Sequence, residues 1–74
     1  MARIVMRVRL TNGDHTDVTY EDHEARNEDE LIERVLSILT SDSGVLRCRH
    51  GDRLVALFAR GVATVEIAPQ GAIL

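Results

Sequence analysis

The stretch LRCRHGDRLVALFARGVATVEIAP, residues 46–69, most constrains the fold because it combines a core-forming composition with four arginines. Gly51 and Gly61 divide it into short segments rich in Val, Leu, Ile and Phe, which is typical of β-strands joined by turns. Successive side chains of a strand point to opposite faces of the sheet. The stretch therefore predicts a sheet with one apolar face and a second face that mixes arginine with apolar residues.

The C-terminal half of the chain predicts a meander of three strands, at about residues 45–50, 53–59 and 62–68. Gly51–Asp52 is interpreted as a two-residue turn, and residues 59–61 as a bulged three-residue loop. The alternative loop lengths place Arg49 opposite Arg53, or an apolar residue opposite Glu66. The preferred loops give the pairs Cys48–Val55, Leu46–Leu57, Leu57–Ala63 and Val55–Val65.

The N-terminal segment RIVMRVRLT alternates between apolar and charged residues and leads into Asn12–Gly13, a hairpin signal. A two-residue loop would place apolar residues opposite polar ones. A three-residue loop at residues 11–13, with Gly13 left-handed in a bulge, keeps apolar residues together. This predicts a hairpin over about residues 3–20, with the pairs Ile4–Tyr20, Met6–Val18 and Arg7–Asp17.

The segment between the two strand regions predicts a helix over about residues 27–41. Asn27 is interpreted as its N-cap with Glu30 as the capping-box partner. Glu30 and Arg34 are expected to form an ion pair one helical turn apart. Gly44 is expected to end the segment in a left-handed conformation. The apolar stripe of the helix consists of Leu31, Ile32, Val35, Leu36, Ile38 and Leu39.

These elements predict an α+β fold of the order ββαβββ, a mostly antiparallel sheet with one helix packed on one face, in a single domain over residues 1–74. The tail, residues 69–74, is expected to cap the sheet, with Ile73 and Leu74 folding back onto the core. The pattern leaves the order of the strands in the sheet open. The predicted core face consists of Ile4, Met6, Val8, Val18, Leu46, Cys48, Val55, Leu57, Ala63, Val65 and Ile67.

The opposite face has no second helix to cover it, and half of its residues are apolar. A chain of 74 residues lies near the size at which a single core needs a staple or a partner, and one cysteine cannot form an internal disulfide. We therefore expect a small non-enzymatic protein that acts by self-association, as a homodimer through the helix-free face. The residues predicted to form this interaction surface are Arg47, Arg49, Leu54, Phe58 and Val62.

Two alternatives use the uneven distribution of charge. A nucleic-acid-binding module would grip phosphates with arginines on the same face. The net charge of −3, the absence of lysine and the presence of only two aromatic residues weigh against it. The acidic segment, residues 14–33, could instead dock on a basic protein partner, although such runs usually form a solvated surface. The arginines of the nucleic-acid alternative are Arg3, Arg7, Arg9, Arg47 and Arg49.

Neither a catalytic residue nor a metal or cofactor site is predicted. Cys48 and His50 lie on the same side of a strand, but no third group orients them and Cys48 belongs to the predicted core. His15 and His23 occur singly, without the spacing of metal ligands. The glycines lie at predicted turns and at the end of the helix, which does not indicate a phosphate-binding loop.

The pattern of apolar residues predicts no association with a membrane. The longest fully apolar run, Leu54–Ala59, is far shorter than the ~20 residues of a membrane helix. Arg3 and Arg7 interrupt the N-terminal segment, so we expect no signal peptide. A lone cysteine suits a reducing compartment. A cytoplasmic location is therefore expected.

Overall fold

The computed structural model describes residues 2–68, so the prediction for the tail, including Ile73 and Leu74, lies outside the described residues. A five-stranded antiparallel sheet and one helix make up the fold, which confirms the predicted α+β class and the element order ββαβββ. A short 3-10 turn, Ala59–Gly61, connects the last two strands. The elements are β1 Ala2–Leu10, β2 His15–Asp22, α1 Glu28–Leu39, β3 Val45–His50, β4 Arg53–Phe58 and β5 Val62–Ala68.

Both local hairpins have the predicted registers. In the first, Met6 lies opposite Val18 and Arg7 opposite Asp17, and Gly13 has the positive φ of 95° that the bulged loop requires. In the second, Cys48 lies opposite Val55, and Gly51 has a φ of 63° in the turn. Loop length fixes register here because a shift of one residue would move every apolar side chain to the wrong face.

The predicted pairing of β4 with β5 is wrong. The order of the sheet is β4-β3-β2-β1-β5, so β5 pairs with β1, and Val65 lies opposite Val8 rather than Val55. The predicted Leu57–Ala63 pair is likewise absent. The 3-10 turn carries the chain from one edge of the sheet to the other instead of reversing it as a hairpin. The free edge of β1 offers β5 an apolar row, and Arg9 on β1 forms an ion pair with Glu66 on β5.

This connection requires a strongly curled sheet. Neighbouring strands lie ~4.8 Å apart, so the outer strands of a flat five-stranded sheet would be separated by about 19 Å. The four Cα steps from Phe58 to Val62 span at most about 14 Å, and a 3-10 turn is shorter still. The turn is held at both ends by backbone hydrogen bonds, from Ala59 N to Gly44 O at 3.0 Å and from Thr11 N to Gly61 O at 2.9 Å.

The core lies between the concave face of the sheet and α1, which packs against β1, β2 and β3. Leu31 and Val35 are the fully buried residues of the helix. The remaining buried side chains come mostly from the sheet: Ala2, Ile4, Met6, Val8, Val18, Tyr20, Ala25, Leu46, Cys48 and Leu57. Nine residues from four strands and Ala25 from the loop before α1 therefore share one core with the helix, and the opposite face of the sheet lies outside it.

The capping of α1 differs in detail from the prediction. Asn27 is the N-cap, since its Oδ1 accepts a hydrogen bond from Glu30 N at 3.0 Å. Glu30 Oε2 accepts from Arg26 N at 2.9 Å, one residue before the N-cap. The predicted Glu30–Arg34 ion pair is wrong, because Arg34 reaches across to Asp22 at the end of β2. The Glu30 carboxylate is thus used at the helix start, and Arg34 ties the helix to the sheet.

The segment that follows α1 corrects the interpretation of Gly44. No positive φ is found at this residue, so the predicted left-handed stop is wrong. A Cβ at this position would overlap the backbone oxygen of Ile38. Gly44 is therefore suited to this position because the chain passes close to the end of the helix, not because of its backbone conformation.

Candidate interaction surface

The outer face is the side of the sheet that faces away from α1, and it alternates with the core as the sequence predicts. Across the sheet, Leu54 on β4 lies opposite Arg49 on β3, Arg49 opposite Thr19 on β2, and Thr19 opposite Val5 on β1. The exposed residues of the outer face include Arg3, Val5, Arg7, Arg9, Asp17, Val45, Arg47, Arg49, Leu54, Ala56, Phe58, Thr64 and Glu66.

Its apolar residues concentrate on β4 and the start of β3. Leu54 is 67% exposed and Phe58 is 63% exposed, the highest values among the large apolar side chains of the described residues. Phe58 lies opposite Val45, which is 41% exposed. We call Leu54, Phe58 and Val45 the apolar patch. The turn at Gly51–Asp52 creates it, because the register that buries Leu57 turns the alternate residues of β4 outward.

Val62, which the sequence assigns to this surface, does not belong to it. A bulge shifts the register of β5, so that Arg9 lies opposite Thr64 but Leu10 lies opposite Val62. The extra residue, Ala63, is exposed although it was predicted to lie in the core, and Val62 is half-buried against the core. One inserted residue reverses the faces of the residues before it, which alternation alone does not reveal.

Two of the outer-face arginines are neutralised within the chain. Arg7 donates to both carboxylate oxygens of Asp17, at 2.9 and 3.3 Å, and this hydrogen bonding lowers the pKa of Asp17. Arg9 Nε lies 3.2 Å from Glu66 Oε1. Both pairs are exposed, so they contribute little to stability, but they remove two positive charges from this part of the face.

The remaining outer-face arginines lie on β1 and β3. Within residues 2–68, Arg3, Arg47 and Arg49 form no ion pair. Arg47 lies opposite Ala56 and Arg49 opposite Leu54, so both stand beside β4. Of the predicted surface, the structure thus brings Arg47, Arg49, Leu54 and Phe58 together.

Cys48 and His50 are bonded to different strands. The Cys48 thiol is buried and lies 3.5 Å from Val55 O on β4, and burial raises its pKa. His50 Nδ1 lies 2.7 Å from Asp17 O on β2, and since a carbonyl only accepts, Nδ1 carries the proton. A protonated thiol is a poor nucleophile, so these bonds favour a structural role for Cys48 and His50.

The other titratable residues do not converge on a metal-binding arrangement. Across residues 2–68, no group of three or more His, Cys, Asp or Glu side chains could hold a metal ion. His15 and His23 are exposed single residues. Several acids of the acidic segment already bind within the chain, among them Asp17 to Arg7, Asp22 to Arg34 and Glu30 to Arg26 N. Docking of this segment on a basic partner stays a prediction.

The strand order adds a property of β4 that sequence reasoning missed. Because β5 leaves for the other side of the sheet, β4 is an edge strand, and within the described residues only β3 pairs with it. The sequence signal was weak: the segment Ala59–Gly61 fits a hairpin loop and a 3-10 turn equally well.

No helix in the described part of the chain is long and apolar enough to cross a membrane.

Comparisons of this chain with protein families, curated proteins and solved structures find no significant match.

Proposed function

We propose that this chain is a small, non-enzymatic, cytoplasmic domain that acts by self-association, as a homodimer joined at the β4 end of the outer face. The observation that supports this most directly is the exposure of two large apolar side chains on one strand, 67% for Leu54 and 63% for Phe58. Exposed apolar residues that cluster beside arginine are typical of protein interfaces, whose centres are enriched in aromatic residues and arginine.

The size of the chain supports the same proposal. A domain of 74 residues buries a smaller fraction of its unfolded surface than a larger domain does, and the core of residues 2–68 is built on one side of the sheet only. Association would remove the apolar patch from water and add stability that increases with the logarithm of protein concentration. The lone buried thiol of Cys48 is compatible with a reducing compartment, which is the basis of the cytoplasmic assignment.

The test is the molar mass of the protein by light scattering over a dilution series. We expect a mass approaching twice 8.2 kDa at high concentration. Phe58→Asp should give a monomer, because it replaces the largest apolar side chain of the patch with a charged one at the contact. The matched control is Leu36→Asp, the same type of change at a 47% exposed residue of α1, and it should dimerise like the wild type. A wild type that remains monomeric at millimolar concentration contradicts the proposal.

Nucleic-acid binding is a second candidate, supported by the free positive charge of Arg3, Arg47 and Arg49 on one face. It would be detected as binding to DNA or RNA that weakens as salt rises. Arg47→Glu with Arg49→Glu should abolish this binding, whereas Arg26→Glu, an exposed arginine before α1, should reduce it little. If the wild type shows no binding at low salt, this candidate is excluded.

A further inference from the structure

We propose that two copies of the chain associate edge to edge through β4, antiparallel and with Ala56 on the two-fold axis, so that their sheets become continuous. This inference rests on the proposed self-association and specifies its geometry. It differs from a sandwich of two outer faces, because the backbone of β4 makes the contact and the outer faces remain open. Within the described residues, β4 has one unpaired side.

The hydrogen-bond pattern of β3 with β4 shows which backbone groups of β4 are free. Ala59 N donates to Gly44 O at 3.0 Å, which marks this pair as hydrogen-bonded. Bonded and non-bonded pairs alternate along an antiparallel ladder, so Leu57 and Val55 also bond to β3. The residues between them direct their N–H and C=O groups to the open edge: Leu54, Ala56 and Phe58.

A two-fold axis through Ala56 pairs all of these free groups. Ala56 then bonds to the partner's Ala56, and Leu54 bonds to the partner's Phe58. Directly opposed residues of an antiparallel pair share a face, so both pairs lie on the outer face. The two most exposed apolar side chains of the chain thus cover each other across the contact.

The inner face is complementary in the same register. Val55, half-buried at the margin of the core, comes to lie opposite the partner's Leu57. The helix does not obstruct this approach, because α1 packs on β1, β2 and β3. The two cores would therefore meet beneath the joined strands.

Charge favours this register over its neighbours. Asp52 in the turn before β4 and the partner's Arg60 in the 3-10 turn after β4 would lie at the same end of the contact, and the symmetry would bring these opposite charges near each other twice. An axis through Val55 would instead oppose Asp52 to the partner's Phe58. An axis through Leu57 would oppose Leu54 to the partner's Arg60. Only the axis through Ala56 combines apolar pairs with opposite charges.

The edge of β4 also lacks the features that prevent association. Strand edges are usually protected by proline, lysine, inward-pointing charges or bulges. β4 contains none of these between Leu54 and Phe58, whereas β5, at the opposite edge, carries the bulge at Ala63. Stacking of the outer faces is less favourable, since it would bury Arg47 and Arg49 without ion-pair partners.

The test measures the dimer dissociation constant of Ala56→Pro and Ala56→Val by sedimentation equilibrium. Proline removes the Ala56 N–H, which makes no bond inside the protomer, but it eliminates both hydrogen bonds at the two-fold axis. We expect the dissociation constant to rise at least about 100-fold. Valine keeps the N–H and suits an exposed strand, so it should leave the constant within about threefold of the wild type.

A charge exchange tests the register without altering β4. Asp52→Arg should weaken the dimer about tenfold, and the double variant Asp52→Arg, Arg60→Asp should restore it. Arg60 Nε also donates to Asp42 O at 3.3 Å, but that bond is absent in both the double variant and Arg60→Asp alone. Because both variants lack this bond, the comparison of the double variant with Arg60→Asp alone measures the charge contact by itself.

The outcomes separate this inference from the proposed function. If Ala56→Pro is folded by its circular dichroism and dimerises like the wild type, edge pairing is overturned. If Ala56→Pro does not fold, the charge exchange decides: edge pairing is overturned if the dimer dissociation constant is the same for the wild type, Asp52→Arg and the double variant. A dimer that Phe58→Asp disrupts but these variants do not would retain the proposed function and overturn only the pairing. A monomeric wild type contradicts both.

Discussion

Substitution of Gly44 tests whether close approach or backbone conformation determines the residue at the end of the helical segment. A Cβ at Gly44 would overlap Ile38 O, so alanine must displace the backbone. The displaced residue takes part in two backbone hydrogen bonds, from Gly44 N to Ser41 O at 2.9 Å and from Ala59 N to Gly44 O at 3.0 Å. Each contributes about 1 kcal/mol, so Gly44→Ala should cost about 2 kcal/mol or more.

A loss of this size is large for this protein, because a 74-residue domain is stabilised by roughly 4–11 kcal/mol. Asparagine separates the two explanations, since it tolerates the left-handed region better than alanine but carries the same Cβ. We expect Gly44→Asn to be as destabilising as Gly44→Ala. At Gly51, where φ is 63° and a Cβ would meet nothing within 4 Å, asparagine should be clearly better tolerated than alanine.

The assay is urea unfolding followed by circular dichroism, at one protein concentration for all four variants because dimerisation adds to stability. If Gly44→Asn matches the wild type while Gly44→Ala does not, the overlap with Ile38 O does not determine the residue at this position. The backbone conformation, and not the carbonyl of Ile38, would then disfavour a side chain.

Three further predictions follow from individual contacts. The pKa of Asp17 is lowered from its ordinary value of 3.8, so the ionised carboxylate stabilises the fold above pH 3.8, and this contribution is lost as the pH falls through the lowered pKa. Asp17→Asn should therefore make the free energy of unfolding fall slightly less steeply at acidic pH. An unchanged dependence on pH would contradict this prediction. Burial and the raised pKa should make Cys48 react with a thiol reagent orders of magnitude more slowly in the native than in the urea-unfolded protein, and equal rates would refute this. Ala56→Cys should form an intermolecular disulfide on mild oxidation, because the Cα atoms of a hydrogen-bonded antiparallel pair lie about 5.5 Å apart. The control is Ala63→Cys, at an exposed residue of β5, which should form the disulfide much more slowly. Equal yields from the two variants would contradict edge pairing.

The sequence predicts the local structure of this chain well because its determinants are local. Alternation of side chains and loop length are enough to derive both hairpin registers, and Asn27 identifies the start of the helix. They also lead to the correct outer-face assignment of Leu54 and Phe58. In each case the interacting residues are close in sequence, so a wrong alternative shows itself as an apolar residue opposite a charged one.

The errors share a different origin. The position of β5 depends on whether three residues reverse the chain or carry it across the sheet, and both choices satisfy the alternation of β5. The bulge that exposes Ala63 and half-buries Val62 arises only from pairing with β1. Arg34 binds Asp22 instead of Glu30 because the sheet brings Asp22 beside the helix. These are consequences of tertiary contacts, which override local preferences.

The 3-10 turn Ala59–Gly61 is the common origin of the fold's closure and of its proposed contact. By carrying β5 to β1, it curls the sheet around the core and leaves β4 without a neighbour on one side. In the proposed dimer, each row of the outer face would run from Arg49 through Leu54 to the partner's Phe58 and the partner's Val45. The apolar residues would then lie at the contact and the arginines at its margin. Alternation explains why arginine and apolar residues share one face of a single strand, but not how they are arranged over the whole surface. The proposed dimer gives a reason for that arrangement, because interface centres are apolar and their margins are polar.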